Sequence, residues 1–326
     1  MKRFLIAAAA TAALLGAASQ AQAEKVRIGY WSSGVSLGFG AVLETGKFME
    51  NQGLEVEYVK FPDVNAPTKA MAAGGIDFAI AAPAAASMSV AADGLPMSII
   101  LATQVADLNF VVPEDSPIKS MAELKGKKIG GSPAGSATAA IAQAILEKNY
   151  GFASGDYSLV PGNDPRLAQF LYQKDIDAAA LRTVTIALVK DVKLRAVGTF
   201  REEWKKLSKS DAPPVLGVGL IRNDWLKANP EGAAKLVAGM RKAYEFGKAD
   251  KAAVAKALVE AANMSQDDAR AYAALWDGIY TVSMEASDIA SLKTAFEIFK
   301  SVGAVKGALP DAALATAPYE ASKAIK

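Results

Sequence analysis

Four short stretches carry the side chains suited to recognising a small molecule. The first is Trp31-Ser32-Ser33-Gly34, with Ser36 close behind, an aromatic face beside uncharged donors. Such a surface suits a ligand with one flat or apolar portion, and packing between two parts of the fold is the competing use of Trp31. The second, Ala82-Pro83-Ala84, offers only backbone and shape. The third, Gly130-Gly131-Ser132-Pro133-Ala134-Gly135-Ser136 followed by Thr138, joins a predicted strand to a predicted helix. Its free N–H groups, released by small residues such as Gly135, and the hydroxyls of Ser132, Ser136 and Thr138 suit an anion at the positive helix end. Ser136 as a plain helix cap is the alternative. The fourth is Arg182-Thr183-Val184-Thr185, a guanidinium at the end of an Ala-rich strand. Its planar fork matches carboxylate or sulfonate oxygens; an ion pair with Asp177 or Asp164 is the other possibility.

Composition removes most chemistry from consideration. The 326 residues contain no histidine and no cysteine. The usual nucleophile–base pairs and soft-metal ligand sets cannot be assembled without them, and no disulfide framework exists. No catalytic residue, metal ligand or cofactor is expected, and stability must come from a buried core. Lys2 and Arg3 account for two of the 36 basic residues, so the remainder matches the 34 acidic ones. A balanced chain has no basic field for nucleic acid or for an anionic membrane.

Those same two cations precede an apolar run, Phe4 to Ala18, that ends in a polar stretch and Ala21-Gln22-Ala23. This is the pattern of a secretory signal peptide, with cleavage expected after Ala23. The run is short for a membrane span. No cysteine follows for lipid attachment, so a freely diffusing periplasmic protein is expected.

The elements that must position the four stretches alternate along the chain. Strands are predicted at Val26-Arg27-Ile28-Gly29-Tyr30, Leu54 to Phe61 and Asp77 to Ala82, with a helix from about Leu37 to Asn51 and another stopped by Gly74-Gly75. A second alternation runs through Phe110-Val111-Val112, Lys127 to Ser132, Ser158 to Val160, Ala178 to Leu181 and Leu194 to Gly198, with a helix from Ser136 to Tyr150. Ser120-Met121-Ala122-Glu123 and Ser265-Gln266-Asp267-Asp268 read as capping boxes. From Pro230 only helices are expected; Trp276, Tyr280, Phe296 and Phe299 read as core, and the tail after Pro310 as frayed. The rhythm predicts an α/β protein of two doubly wound lobes with parallel sheets covered on both faces.

Five segments in register resemble a known family, the periplasmic binding proteins for nitrate, alkanesulfonates, taurine and thiamine-precursor pyrimidines. They are the Val26–Tyr30 strand with its Ser/Gly loop, Ala73-Gly74-Gly75-Ile76-Asp77-Phe78 leading to Ala82-Pro83-Ala84, and Ile118 to Gly130 (IKSMAELKGKKIG). Gln173-Lys174-Asp175-Ile176-Asp177-Ala178-Ala179 and Asn223 to Glu231 (NDWLKANPE) complete the set. The resemblance implies a type II periplasmic-binding-protein fold, in which the chain crosses between lobes twice. The crossings are placed near Ala102 to Asn109 and near Asp211 to Gly219, dividing the chain into residues 24–105, 106–212 and 213–326 after a signal peptide at 1–23. The first and third parts would share lobe one, with the C-terminal helices packed on it.

The resemblance further implies a solute-binding receptor of an ABC importer, monomeric, not an enzyme, serving permease subunits in the inner membrane. The ligand residues expected are Trp31, Ser32, Ser33, Gly34, Ala82, Pro83, Ala84, Ser132, Gly135, Ser136, Thr138, Arg182, Thr183 and Thr185. Thr183-Val184-Thr185 departs from the aromatic or proline pattern common in the family at that place. The expected solute is a small organic anion, sulfonate or carboxylate, with a neutral pyrimidine-type solute, nitrate, or presentation to a membrane sensor as alternatives. Pyrimidine-precursor synthases of similar sequence use a histidine, which this chain lacks.

Overall fold

The computed structural model describes residues 24–325; the signal peptide and its cleavage after Ala23 lie outside the described residues. β1 (Glu24–Trp31) leads through α1 (Gly34–Gly46) to β2 (Leu54–Phe61), α2 (Ala66–Ala72), β3 (Phe78–Pro83), α3 (Ala84–Ala92) and β4 (Met97–Val105). A second series follows: β5 (Leu108–Pro113), β6 (Lys128–Gly131), α4 (Ala137–Ala144), β7 (Ser158–Pro161), α5 (Asp164–Gln173), β8 (Ala178–Arg182), α6 (Thr183–Leu188), β9 (Leu194–Thr199) and α7 (Phe200–Ser208). The last part holds β10 (Val215–Arg222), α8 (Asn223–Ala228), α9 (Pro230–Ala249), α10 (Lys251–Ala262), α11 (Gln266–Ala274), α12 (Trp276–Ile279), β11 (Tyr280–Ser283), α13 (Ala286–Ser301) and α14 (Ala317–Ser322).

These strands form two sheets. One has the order β11-β4-β10-β3-β1-β2, the other β7-β6-β8-β5-β9. The chain leaves the first sheet between Val105 and Leu108 and returns to it between Ser208 and Val215. Every residue of β3 and of β8 is buried, as expected of central strands covered by helices on both faces. Each sheet is mixed: β10 runs antiparallel to β3 and β4, and β5 antiparallel to β8 and β9. The strands that return from the other sheet must enter against the grain. This corrects the all-parallel expectation.

Three further readings are corrected. The C-terminal part is not purely helical, because β11 pairs with β4, Tyr280 opposite Gln104 and Ser283 opposite Ala102. Tyr280 still packs as expected, with Trp276 at 4.4 Å and Phe39 at 5.1 Å between ring centres. The tail after Pro310 is tied down: Ala315 N–H donates to Ile99 O at 2.9 Å, and Tyr319 is buried and donates to Glu285 Oε1 at 2.8 Å. Ser120 opens the short helical turn expected, Met121–Leu124, but no capping box forms: its hydroxyl donates to Glu123 Oε1 at 3.1 Å instead of accepting a backbone N–H. Ser265 does cap α11, accepting from Asp268 N–H at 3.2 Å. The Asp268 carboxylate, however, accepts from Lys190 at 2.9 Å.

Candidate functional site

Strand ends from both sheets converge on one small cavity. Its walls are Trp31, Val35, Ser36, Val64, Ala81, Pro83, Gln104 and Leu216 from the first sheet's side, and Ser136, Ala137, Thr138 and Arg182 from the second. The cavity is partly open to solvent and its free space is about 20 Å³, roughly the room of one water-sized sphere. The two walls are therefore drawn close in this conformation.

Local backbone choices shape the first wall. β1 ends at Trp31, whose indole Nε1–H donates to Pro62 O at 3.3 Å. Gly34 has φ +54°, and a Cβ there would lie 2.6 Å from Trp31 Cζ3, so the ring is seated directly on the glycine. Ala81 also has a positive φ, +54°. It sits at a β-bulge, where the pairing of β3 with β10 shifts register between Val218 and Leu220. Such a bulge inserts one residue and re-aims the strand, which turns Ala81 toward the cavity. Gln104, in β4, donates to Ser36 Oγ at 3.4 Å; a Cβ on Gly217 would meet its Oε1 at 2.8 Å, so the glycine makes room for the amide.

The second wall combines a helix start with a cation. Ser136 caps α4, its Oγ accepting from Ala139 N–H at 3.1 Å after Gly135 turns the chain at φ +84°. Arg182 closes β8 and is buried, at 7% exposure. Its guanidinium lies 5.5 Å from the centre of the Trp31 ring, joining the two walls. Nη1 donates to Asp164 Oδ1 at 2.5 Å, while Asp164 Oδ2 accepts from Arg182 N–H and from Thr185 Oγ1, each at 3.0 Å. Asp164 is itself buried. Arg182 Nε has no hydrogen-bond partner among the described residues.

Of the sequence-predicted residues, Trp31, Pro83, Ser136, Thr138 and Arg182 line the cavity. Others support it from behind. The Ser32 hydroxyl donates to Phe61 O at 2.9 Å, Ser33 stands at the α1 start without a side-chain cap bond, and Gly34 carries the indole. Ala82 is paired with Val218 in the sheet, and Ala84 is fully buried as the first residue of α3. Thr183 Oγ1 donates to Asp107 Oδ1 at 2.9 Å, in the segment joining the two sheets, and Thr185 serves Asp164. Ser132 is buried away from the lining, and Gly135 borders a neighbouring cavity of about 340 Å³ with Asn65 and Thr68. Sequence reading did not single out Val35, Val64, Ala81, Gln104, Ala137 or Leu216. Gln104 had a signal, a lone amide at the end of an apolar strand; Leu216 had none, because it arrives on the strand returning from the other sheet.

Behind the first wall, the hydroxyls of Tyr272 and Tyr280 lie 2.7 Å apart, and Tyr272 donates to Val35 O at 3.1 Å. Burial pushes the Tyr272 phenol well above its ordinary pKa, opposed by its bond to Tyr280 and by the charge of Arg182. The pair ties α11 and β11 to the start of α1. No group of three or more metal-ligating side chains occurs among the described residues, nor does any helix long and apolar enough to cross a membrane.

Residues 42–254, more than half of the chain, match the family described as NMT1/THI5 like. The chain belongs to that family. A protein of Brucella abortus (strain 2308), named as a binding protein, is 25% identical over 230 residues, 69% of this chain and 67% of that protein. Among solved structures, the periplasmic aliphatic sulphonate binding protein SsuA of Escherichia coli superposes with a TM-score of 0.70 at 17% identity, over 88% of this chain and 90% of that one. The alkanesulfonate-binding SsuA of Xanthomonas axonopodis pv. citri, bound to MOPS, gives 0.71 at 17% identity over 88% and 96%. The ligand-binding component of an ABC-type import system from Staphylococcus aureus gives 0.71 at 15% over 91% and 98%. These likenesses show the fold, that of the type II periplasmic binding proteins.

Proposed function

We propose that this protein is the periplasmic solute receptor of an ABC importer and that it captures a small organic anion, a sulfonate or carboxylate, between two lobes. Residues 24–105 and 213–326 form one lobe and 106–212 the other, hinged where the chain passes between sheets. Closure presents the loaded protein to permease subunits in the inner membrane. The observation carrying this reading is Arg182: a buried guanidinium with an unpartnered Nε, laid over the Trp31 ring and facing the start of α4. A guanidinium edge and a helix N-terminus attract one oxyanion together, while Trp31, Val35, Val64 and Leu216 suit an apolar remainder. The cavity's small volume supports hinge motion, since a solute enters only if the walls part. Relatives named for binding or import support the receptor role, and a lining of hydroxyls, one amide and one guanidinium contains no general base.

A second reading has one observation in its favour. Asp164 offsets the charge of Arg182, which suits an uncharged oxygen or nitrogen acceptor such as that of a pyrimidine. Thermal denaturation with sulfonates, carboxylates, nitrate and pyrimidines decides between them. At a hundredfold excess over Kd, the true class stabilises by about 2.7 kcal/mol, a rise on the order of 5 to 10 °C. If no compound in the four classes moves the melting temperature, the solute assignment is wrong.

A further inference from the structure

We infer that Asp164, which does not line the cavity, sets the charge of the solute: it restricts the site to singly charged or neutral groups and excludes dianions such as sulfate and hydrogen phosphate. The inference rests on the reading above, in which Arg182 faces the solute. Arg182 is the one charged residue on the cavity wall among the described residues. Asp164 lies directly behind it, buried, and holds it by two bonds, one from Nη1 and one from the backbone N–H. Thr185 Oγ1 fixes the same carboxylate from a third side. Asp164 is also the first residue of α5, with Asn163 as the cap, so the helix orients it. The contact with the guanidinium is end-on through Nη1, which leaves the buried Nε without a hydrogen-bond partner among the described residues.

This arrangement keeps the directional donors of an arginine and removes its net charge. An oxyanion in the closed cleft then meets N–H groups, the partial positive charge at the start of α4, and a carboxylate one side chain away. Hydrogen bonding is nearly the same for a sulfonate and for sulfate. Repulsion from Asp164 scales with solute charge and doubles for the dianion. Asp164 is thus a positioning residue for Arg182 and a selectivity determinant through its charge.

The test compares wild type, Asp164→Asn and Arg182→Ala by titration calorimetry at constant ionic strength, with ethanesulfonate and propionate as monoanions and sulfate and hydrogen phosphate as dianions. Asp164→Asn removes one negative charge roughly 6 to 10 Å from the solute and strengthens monoanion binding by roughly tenfold to a hundredfold. The gain for sulfate is the square of that factor, so the sulfate-to-ethanesulfonate affinity ratio rises at least about tenfold. A purely structural role for Asp164 would lower all affinities together and leave the ratio unchanged. That outcome, with Arg182→Ala abolishing ethanesulfonate binding, overturns the inference while the receptor reading stands. Unaltered binding in Arg182→Ala overturns the inference together with the assignment of Arg182 as the anion contact, while anion capture itself stands. Should no monoanion bind the wild type, the anion reading fails, and gain or lack of sulfate binding in Asp164→Asn still decides the role of Asp164. If Asp164→Asn does not fold, Asp164→Asn combined with Arg182→Gln replaces it, since the pair then leaves no buried unpaired ion. That variant keeps a net charge of zero and stays blind to sulfate; a new sulfate response in it refutes the inference.

Discussion

The seating of Trp31 on Gly34 makes Gly34→Ala the sharpest probe of the cavity wall. The added Cβ meets Trp31 Cζ3 at 2.6 Å and Cη2 at 2.9 Å, in a residue held at φ +54°. An alanine in the left-handed region costs about 1 to 2 kcal/mol, and overpacking adds about 1 to 3 kcal/mol. Loss of glycine's freedom in the unfolded chain returns about 0.4 to 1 kcal/mol. The net expectation is destabilisation by about 2 to 4 kcal/mol, read from urea unfolding midpoints. Both clashing atoms belong to the outer ring of the indole, which phenylalanine lacks. In a Trp31→Phe background the same substitution should therefore cost only the backbone part, about 1 kcal/mol. The difference is a coupling energy between neighbours of the kind a double-mutant cycle isolates. Solute affinity should fall in Gly34→Ala as well, because a displaced indole no longer lies against Arg182. Equal destabilisation by Gly34→Ala in both backgrounds would refute the claim that the ring, and not the backbone alone, requires glycine here.

Two other outcomes are expected. Lys190, beyond α6, pairs at 2.9 Å with Asp268 of α11, an element packed against α6 from the other side of the cleft. Lys190→Glu should shift the protein toward an open form at low ionic strength and not at 1 M salt, where the screening length is about 3 Å. The chain lacks cysteine, so labels on cysteines placed at the exposed Tyr172 and Lys256 report the lobe separation directly; salt-independent distances would sink the idea. Burial raises the Asp107 carboxyl above its ordinary value, against the opposing bond from Thr183 and the charge of Arg201. A raised folded-state value means that Asp107 contributes stability fully below the unfolded carboxylate range, and that this contribution is lost as pH rises through the folded-state value. Wild type should therefore lose ground to Asp107→Asn as pH increases from about 4, and a difference independent of pH would contradict the assignment.

Much of the fold is local and could be read from the chain. The unbroken apolar runs Phe78 to Pro83 and Ala178 to Leu181 announce central strands, since strands covered on both faces carry such runs, and in the fold every one of these residues is buried. Ser136 reads as a cap and acts as one, because its partner is the N–H three residues on. Zero histidine and zero cysteine exclude whole classes of chemistry without any structure. Trp31, Pro83 and Arg182 were legible as lining because they end strands, and Ser136 and Thr138 because they open the helix that follows one, where α/β sheets place their ligands.

What tertiary structure alone decided concerns contacts between distant segments. Asp164 and Asp177 were equal candidates for Arg182 in sequence; the fold gives Asp164 to the guanidinium and turns Asp177 to the N–H of Lys128. Leu216 joins the wall because β10 enters the sheet antiparallel to β3, so its first residues meet the ends of β3 and β4. Ala81 faces the cavity through a bulge whose register exists only in the paired sheet. The tail after Pro310 is polar and Ala-rich, with no local reason to be ordered, and it is held by the backbone of Ile99 and the carboxylate of Glu285. Composition and short-range pattern determine which segments are strands, helices and turns, because those preferences act over a few residues. Which hydroxyl supports and which one lines, and whether a cation carries net charge, depends on partners tens of residues away that only the packed fold brings within hydrogen-bond reach.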